Sequence, residues 1–200
     1  MVETLVVVAI ILILAAVLLP VYETATKSAE RATCMTNLRS LAGAVMLYVQ
    51  DNDGRLVPAR SPSGLRNTDL CWDVILEPYY RSGMLLLCPA DQMPNTASGM
   101  VCRSHSYGIN HDLTLVGGYS GASLLMDQVD CPAQTILLFD LRGSVRSTGL
   151  GLKANGLGRV DARHGIGANF VYLAGNVKWN RPPETLQPRD LTGADNHWEP

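Results

Sequence analysis

The chain has 200 residues, 17% of them charged, and a formal net charge of -2 at pH 7. Both signs of charge are scattered with no basic stripe, which leaves no electrostatic basis for a nucleic-acid partner. The length fits one globular domain with a segment attached, and 18 glycines, 11 prolines and an aromatic content of 6% predict a domain rich in turns.

From Thr4 to Tyr22 no residue is charged, and Leu5 to Leu19 are all aliphatic. A helix crosses a bilayer core with about 20 mostly apolar residues, so this run is just long enough. A secretory signal would begin with positive charge and end in small residues. Here the early charge is the acidic Glu3, and Leu18-Leu-Pro-Val-Tyr22 is a poor cleavage sequence. A carboxylate near the end of an apolar helix is costly, and its presence points to a function. Pro20 is expected to break or kink the helix, because it lacks an N–H and its ring crowds the preceding turn.

Beyond Pro20, the residues Ala32, Met35, Leu38, Leu41, Ala42, Val45, Tyr48 and Val49 recur at spacings of three and four, predicting one apolar stripe. The helix should stop at Asp51-Asn-Asp-Gly54, where glycine allows positive φ. Asp51 and Asp53 have the spacing of a partial calcium loop. The other ligands of an EF-hand are missing, so they are weak metal candidates and a turn is the better reading. As one helix the segment would run about 75 Å. Its first half, apolar all round, must bury itself in lipid or in copies of itself, and its second half must lie on its own domain. The organisation expected is therefore a hydrophobic half-helix over 1–26, an amphipathic half-helix over 27–54, a globular α+β domain over 55–180 and an extended tail over 181–200.

Within the globular part, 69–77 reads as a short helix stopped by Pro78, and 84–88 as a strand or extended piece. Residues 89–107 read as irregular loop and 135–140 as a buried strand. Asn169 to Leu173, turning at Ala174-Gly-Asn176 into Val177 to Trp179, is the clearest hairpin signal. His105, His111, His164 and His197 are scattered, with no pair at metal-ligand spacing. Gly149 to Gly158 lacks the Gly-Lys-Ser/Thr ending of a phosphate loop, and no nucleophile elbow is present. Neither an enzyme nor a cofactor is expected. The five cysteines form no CxxC motif, and an apolar leading segment before a loop-rich domain suggests export to an oxidising compartment. Cys88 and Cys102 bracket a loop dense in Pro, Gly, Ser and Asn and are the expected disulfide, with Cys34 the expected leftover.

The stretch from Met1 to Pro20 resembles the N-terminal helix of type IV pilins and of the pseudopilins of type II secretion: a glutamate, an aliphatic run, then a proline at the spacing of Glu3 to Pro20. Cys34 to Ala42 and Tyr48 to Arg55 are similar to a pilin-like group with a large C-terminal domain. Cys88-Pro-Ala-Asp91, Ser106-Tyr-Gly-Ile-Asn110 and Arg163-His164 through Trp179 resemble further elements of that group. Two departures stand out. The basic leader of the family is absent and Glu3 sits two residues early, as if the numbering began inside the mature protein. The hairpin carries Ala174-Gly-Asn176 where the group usually has Asp-Gly-His, so no role passes to that turn, and His164 alone is not a site.

The resemblance implies a pilin fold, with the long helix packed on a small antiparallel sheet, and a structural subunit that polymerises with identical copies. Before assembly the apolar half would span the inner membrane. Pilus or secretion machinery would then build subunits into an extracellular filament at the cell surface. Leu5, Val8, Ile11, Leu12, Ala15, Leu19 and Pro20 would line the filament core. Glu3 would pair with the N-terminal amine of a neighbour, and a buried charge left without its partner costs roughly 3–5 kcal/mol, enough to set register. The functions implied are adhesion, motility or surface attachment, or alternatively secretion as a pseudopilin. A different reading keeps the helix only as a tether for a binding protein or enzyme.

Overall fold

The structure is a computed structural model that describes residues 2–59, 70–92, 103–114, 123–142, 148–149 and 160–182. Helix α1 spans Val2–Asp51 without interruption and passes through Pro20. The expected break therefore does not occur. One proline removes one hydrogen bond from an otherwise cooperative 50-residue helix. The Thr24 hydroxyl donates to the Pro20 carbonyl at 2.9 Å, on the turn that follows. At the far end Asp53 and Gly54 take positive φ, 52° and 78°. The Gly54 N–H donates back to the Val49 carbonyl at 3.0 Å, closing the helix with the turn its sequence predicts.

The second half of α1 buries Cys34, Leu38, Leu41, Ala42, Ala44, Val45 and Val49. The covered face lies slightly off the predicted stripe: Ala32 is exposed and Met35 and Tyr48 are half-buried, whereas Cys34 and Ala44 are inside. Beneath it lies a five-stranded sheet in the order β3-β1-β2-β4-β5. The strands are β1 (Tyr107–Asn110), β2 (Ile136–Asp140), β3 (Thr148–Gly149), β4 (Ala168–Tyr172) and β5 (Val177–Asn180). Pairings are antiparallel except for the short parallel β1–β3 contact. This is the expected α+β architecture, a long N-terminal helix on a small sheet. The hairpin β4–β5 turns at Gly175, whose φ of 84° requires glycine.

Two layers of side chains flank the sheet. Leu38, Leu41 and Val45 of α1 pack with Tyr107, Ile109, Leu137, Leu138 and Val171. Ile136, Phe139, Leu141, Ala168, Phe170 and Tyr172 form a second cluster. The β2–β4 register shifts between Ile136 and Leu138, so Leu137 and Leu138 join the helix-side cluster together. Gly108 leaves room for this layer: a Cβ there would lie 2.7 Å from the Phe139 ring.

Several local expectations change. The helix expected over 69–77 is only α2 (Trp72–Ile75), and Pro78 sits inside a 3-10 turn, Glu77–Tyr79, rather than ending a helix. Gly83–Leu86 is a 3-10 turn, not extended. Its start is capped by the Ser82 hydroxyl, which accepts from the Met84 N–H at 3.3 Å. A further short helix, α3 (His111–Thr114), follows β1 directly. The tail beyond Pro182, and the Gly149–Gly158 segment beyond Gly149, lie outside the described residues.

The expected Cys88–Cys102 bridge is overturned. Cys88 pairs with Cys34, joining α1 to the segment after the Gly83–Leu86 turn. Cys102 lies outside the described residues. Cys34 is thus not the leftover: Cys71 is also disulfide-bonded, and the free, exposed cysteine is Cys131. Loop bracketing favours a short local bridge, but packing brings the helix to Cys88 across 54 residues of sequence. In a chain-entropy account a bridge of that span contributes about 4 kcal/mol. Replacing both residues (Cys34→Ser with Cys88→Ser) is expected to lower stability by about that amount, read as a shift in denaturant midpoint of the full chain in detergent.

Candidate functional site

Two features of the chain concentrate chemistry. The first is the leading half of α1. Leu5, Val8, Ile11, Leu12 and Leu19 are more than half exposed, Pro20 is exposed and Ala15 is half-buried. The most apolar stretch of α1 has no residue buried against the rest of the chain, and α1 is long and apolar enough to cross a membrane. Glu3 is exposed in the first turn, where the free N–H groups of a helix favour a negative charge. Among the described residues Glu3 forms no ion pair within its own chain. From just beyond this rod into the packed half, hydroxyls on the exposed face fold back onto their own helix. Thr24, Thr26, Ser28, Thr33, Thr36 and Ser40 each donate to the carbonyl four residues earlier, at 2.9–3.0 Å.

The second feature is a buried polar cluster where α1 crosses one end of the sheet. Three motifs singled out in the sequence meet there. From Cys88-Pro-Ala-Asp91 come the disulfide and the Asp91 carboxylate. Ser106 ties that segment to β1 and β2: its hydroxyl accepts from the Cys88 N–H at 3.0 Å. Its own N–H donates to the Leu86 carbonyl at 2.8 Å, and its carbonyl accepts from the Leu141 N–H at 2.9 Å. Arg163 reaches Asp91 at 2.6 Å and Asp161 at 3.1 Å, and donates to the Leu141 carbonyl. His164, its neighbour, sets Nε2 at 3.4 Å from Cys88 Sγ and 3.6 Å from Asp140 Oδ2.

Electrostatics inside this cluster are governed by burial. Asp140, at the end of β2, is fully buried, and loss of water pushes its pKa up to about 7 against the pull of the Asn169 N–H that it accepts at 2.7 Å. Burial also lowers His164 to about 4, helped by the positive charges of Arg163 and Arg31. In mildly acidic water the carboxyl keeps its proton and the imidazole stays neutral, so no net charge is enclosed between them. A second buried acid, Asp73, is raised by burial and is answered by His105, whose Nδ1 lies 3.8 Å away. The His105 ring stands edge-on to Trp72.

Of the site residues read from sequence, the rod residues and Glu3 lie together on one exposed segment, whereas among the described residues Asp51 and Asp53 do not gather with other ligands. Asp51 is in the last turn of α1, hydrogen-bonded by Tyr79, and Asp53 takes the turn conformation. Among the described residues the group of donors close enough for an ion is Cys34, Cys88 and His164. Sequence reading passed over that group and Asp140. Its signal was the presence of both Cys-Pro-Ala-Asp and Arg-His, but 76 residues separate Cys88 from His164 and no local spacing links them. Comparison with protein families, curated proteins and solved structures gives no match.

The opposed shifts at Asp140 and His164 predict opposed pH slopes. Asp140, raised from 3.8 to about 7, adds stability that is full below about pH 4 and is lost as pH climbs toward 7. His164, lowered from 6.5 to about 4, adds stability present above about pH 6.5 and lost as pH falls toward 4. Relative to the unmodified chain, Asp140→Asn should make stability rise more steeply with pH from 4 to 7, and His164→Gln should make it fall. The differences across that window are on the order of a few kcal/mol, measured as denaturant midpoints at each pH.

Proposed function

We propose that this protein is a structural subunit of an extracellular type IV pilus-like filament, held in the inner membrane through the first half of α1 until it is assembled with identical copies. One observation carries the reading: fourteen large apolar side chains between Val2 and Val21 are exposed while the other half of the same helix is core. At roughly 1.5 kcal/mol each, leaving them in water would cost on the order of 20 kcal/mol, more than the whole stability of a typical domain. Lipid satisfies them before assembly and the equivalent rods of neighbours satisfy them after it.

The remaining features fit the same use. Glu3 sits at the leading end with no partner in its own chain among the described residues, so a cation on the adjoining protomer is its natural complement. The back-bonded hydroxyls from Thr24 to Ser40 have their donors satisfied within the helix, which eases entry of that stretch into a bundle. The disulfide is in keeping with an oxidising compartment outside the cytoplasm. A pseudopilus that drives secretion uses the same rod. Abundance separates the two roles, because a major filament subunit dominates material sheared from the cell surface.

Glu3→Ala tests the mechanism. The variant should insert in the membrane at normal levels yet reduce sheared fibres, seen by negative stain and immunoblot, by at least about tenfold, as expected for losing a charge pair of roughly 3–5 kcal/mol at each contact. Normal fibre yield from Glu3→Ala would reject the pairing, and a monomer that never leaves lipid in native cells would reject the filament itself.

A further inference from the structure

The buried cluster beneath α1 has a second use that does not depend on filament formation. We infer that, when Cys34 and Cys88 are reduced, their sulfurs form with His164 and Asp140 a four-donor site for Zn²⁺, so that the metal and the disulfide are alternative occupants of one place.

The geometry brings three of the donors together, with Asp140 beside His164 as the fourth. Ligand atoms of Cys34, Cys88 and His164 all lie within 4.8 Å of one another. Asp140 Oδ2 is 3.6 Å from the same His164 nitrogen that lies 3.4 Å from Cys88 Sγ. Tetrahedral zinc with bonds near 2.0–2.3 Å sets its donors about 3.3–3.8 Å apart, which matches both spacings. A catalytic relay would use the two ring nitrogens of His164 in turn, one toward the nucleophile and one toward the acid. Here a single nitrogen lies near both sulfur and carboxylate, an arrangement that also suits an ion held among them.

The surroundings supply what a metal site needs. Asp140 Oδ1 is buried with no hydrogen-bond partner, an acceptor with unused capacity. Oδ2 is oriented by the Asn169 N–H, and the backbone of His164 is held by the Trp179 indole, which donates to its carbonyl at 3.2 Å. Arg163 and Arg31 both bring positive charge near His164; Arg163 is partly answered by Asp91 and Asp161, and the two thiolates of the reduced site offset the remainder. Two thiolates, an imidazole and a carboxylate form a donor set suited to zinc rather than to magnesium or calcium. The exchange balances. A dithiol reductant gives two electrons and two protons to the Cys34–Cys88 bond and becomes a disulfide itself, and Zn²⁺ then displaces the two thiol protons to solvent. Oxidation reverses the sequence and expels the ion. A reduced chain that has not yet met an oxidant would in this way have α1 already fastened to Cys88 in the register of the later bond.

The experiment uses the full-length chain in detergent, reduced with a phosphine, desalted without oxygen and titrated with Co²⁺ and then Zn²⁺. The expected result is one equivalent of Co²⁺ giving thiolate charge-transfer and tetrahedral visible bands, displaced by Zn²⁺, with no uptake by the oxidised protein. Cys34→Ser with Cys88→Ser, which keeps the other three cysteines, should lose the bands. His164→Gln and Asp140→Asn should each weaken Co²⁺ binding by about tenfold or more. Zinc-loaded protein should also form the Cys34–Cys88 bond more slowly with oxidised glutathione, followed by thiol alkylation and mass spectrometry. If the reduced chain unfolds, recovery of its circular dichroism on adding Zn²⁺ supports the site and failure to recover rejects it. Uptake unchanged in the double-cysteine variant, or insensitive to both His164→Gln and Asp140→Asn, would place the ion elsewhere and overturn the inference.

Discussion

Helix α1 has two halves with incompatible solvent requirements and no break between them. From Cys34 to Val49 it is part of a core, sharing buried side chains with β1, β2 and β4. From Val2 to Val21 no residue of the same rod is buried among the described residues. A hinge between the halves would let the apolar end fold back onto the domain, but the helix continues through Pro20 and keeps that end extended. The hydrophobic effect acting on one stiff element therefore requires apolar surroundings for its first half. Membrane insertion and lateral association both answer the same deficit, and they differ in what surrounds the rod, not in what the rod is.

The rest of the domain is organised around holding that rod in place. Three short motifs, far apart in sequence, meet at the end of the sheet under Cys34. Ser106 links the Cys88 segment to the edge of β1, and Arg163 ties Asp91 to the strand end at Leu141. Charges that burial would make costly are matched or neutralised. Arg163 has two acids around it, and the Asp140 and His164 pair is kept without net charge by loss of water. Polar atoms are enclosed where the helix docks, and their demand for partners fixes orientation more narrowly than apolar packing alone.

Elements built from periodic apolar residues or local turn chemistry were legible in the sequence. The length of α1, its stop at Gly54, strand β2 and the β4–β5 hairpin all follow from patterns within about twenty residues, and so does the α+β class. What was not legible depends on tertiary approach. The pairing of Cys34 with Cys88 requires the helix and the turn after Gly83–Leu86 to meet, and loop composition pointed to the nearer cysteine instead. The 3-10 form of Gly83–Leu86 arises from the Ser82 cap, which outweighs the extended preference of its apolar residues. The helix-side cluster of Leu137 and Leu138 needs a register shift that alternation cannot announce. His164 looked isolated because its neighbours, Cys88 and Asp140, reach it only through the fold.

The place of the disulfide has a mechanical consequence. Cys34 is the first buried residue met on descending α1 from its apolar end. A load drawn along that end meets the covalent link to Cys88 before it reaches Leu38 and the residues below. Contacts that would otherwise peel apart one turn at a time lie behind that link, so the seat of the helix on its own domain is covalently protected at its exposed end.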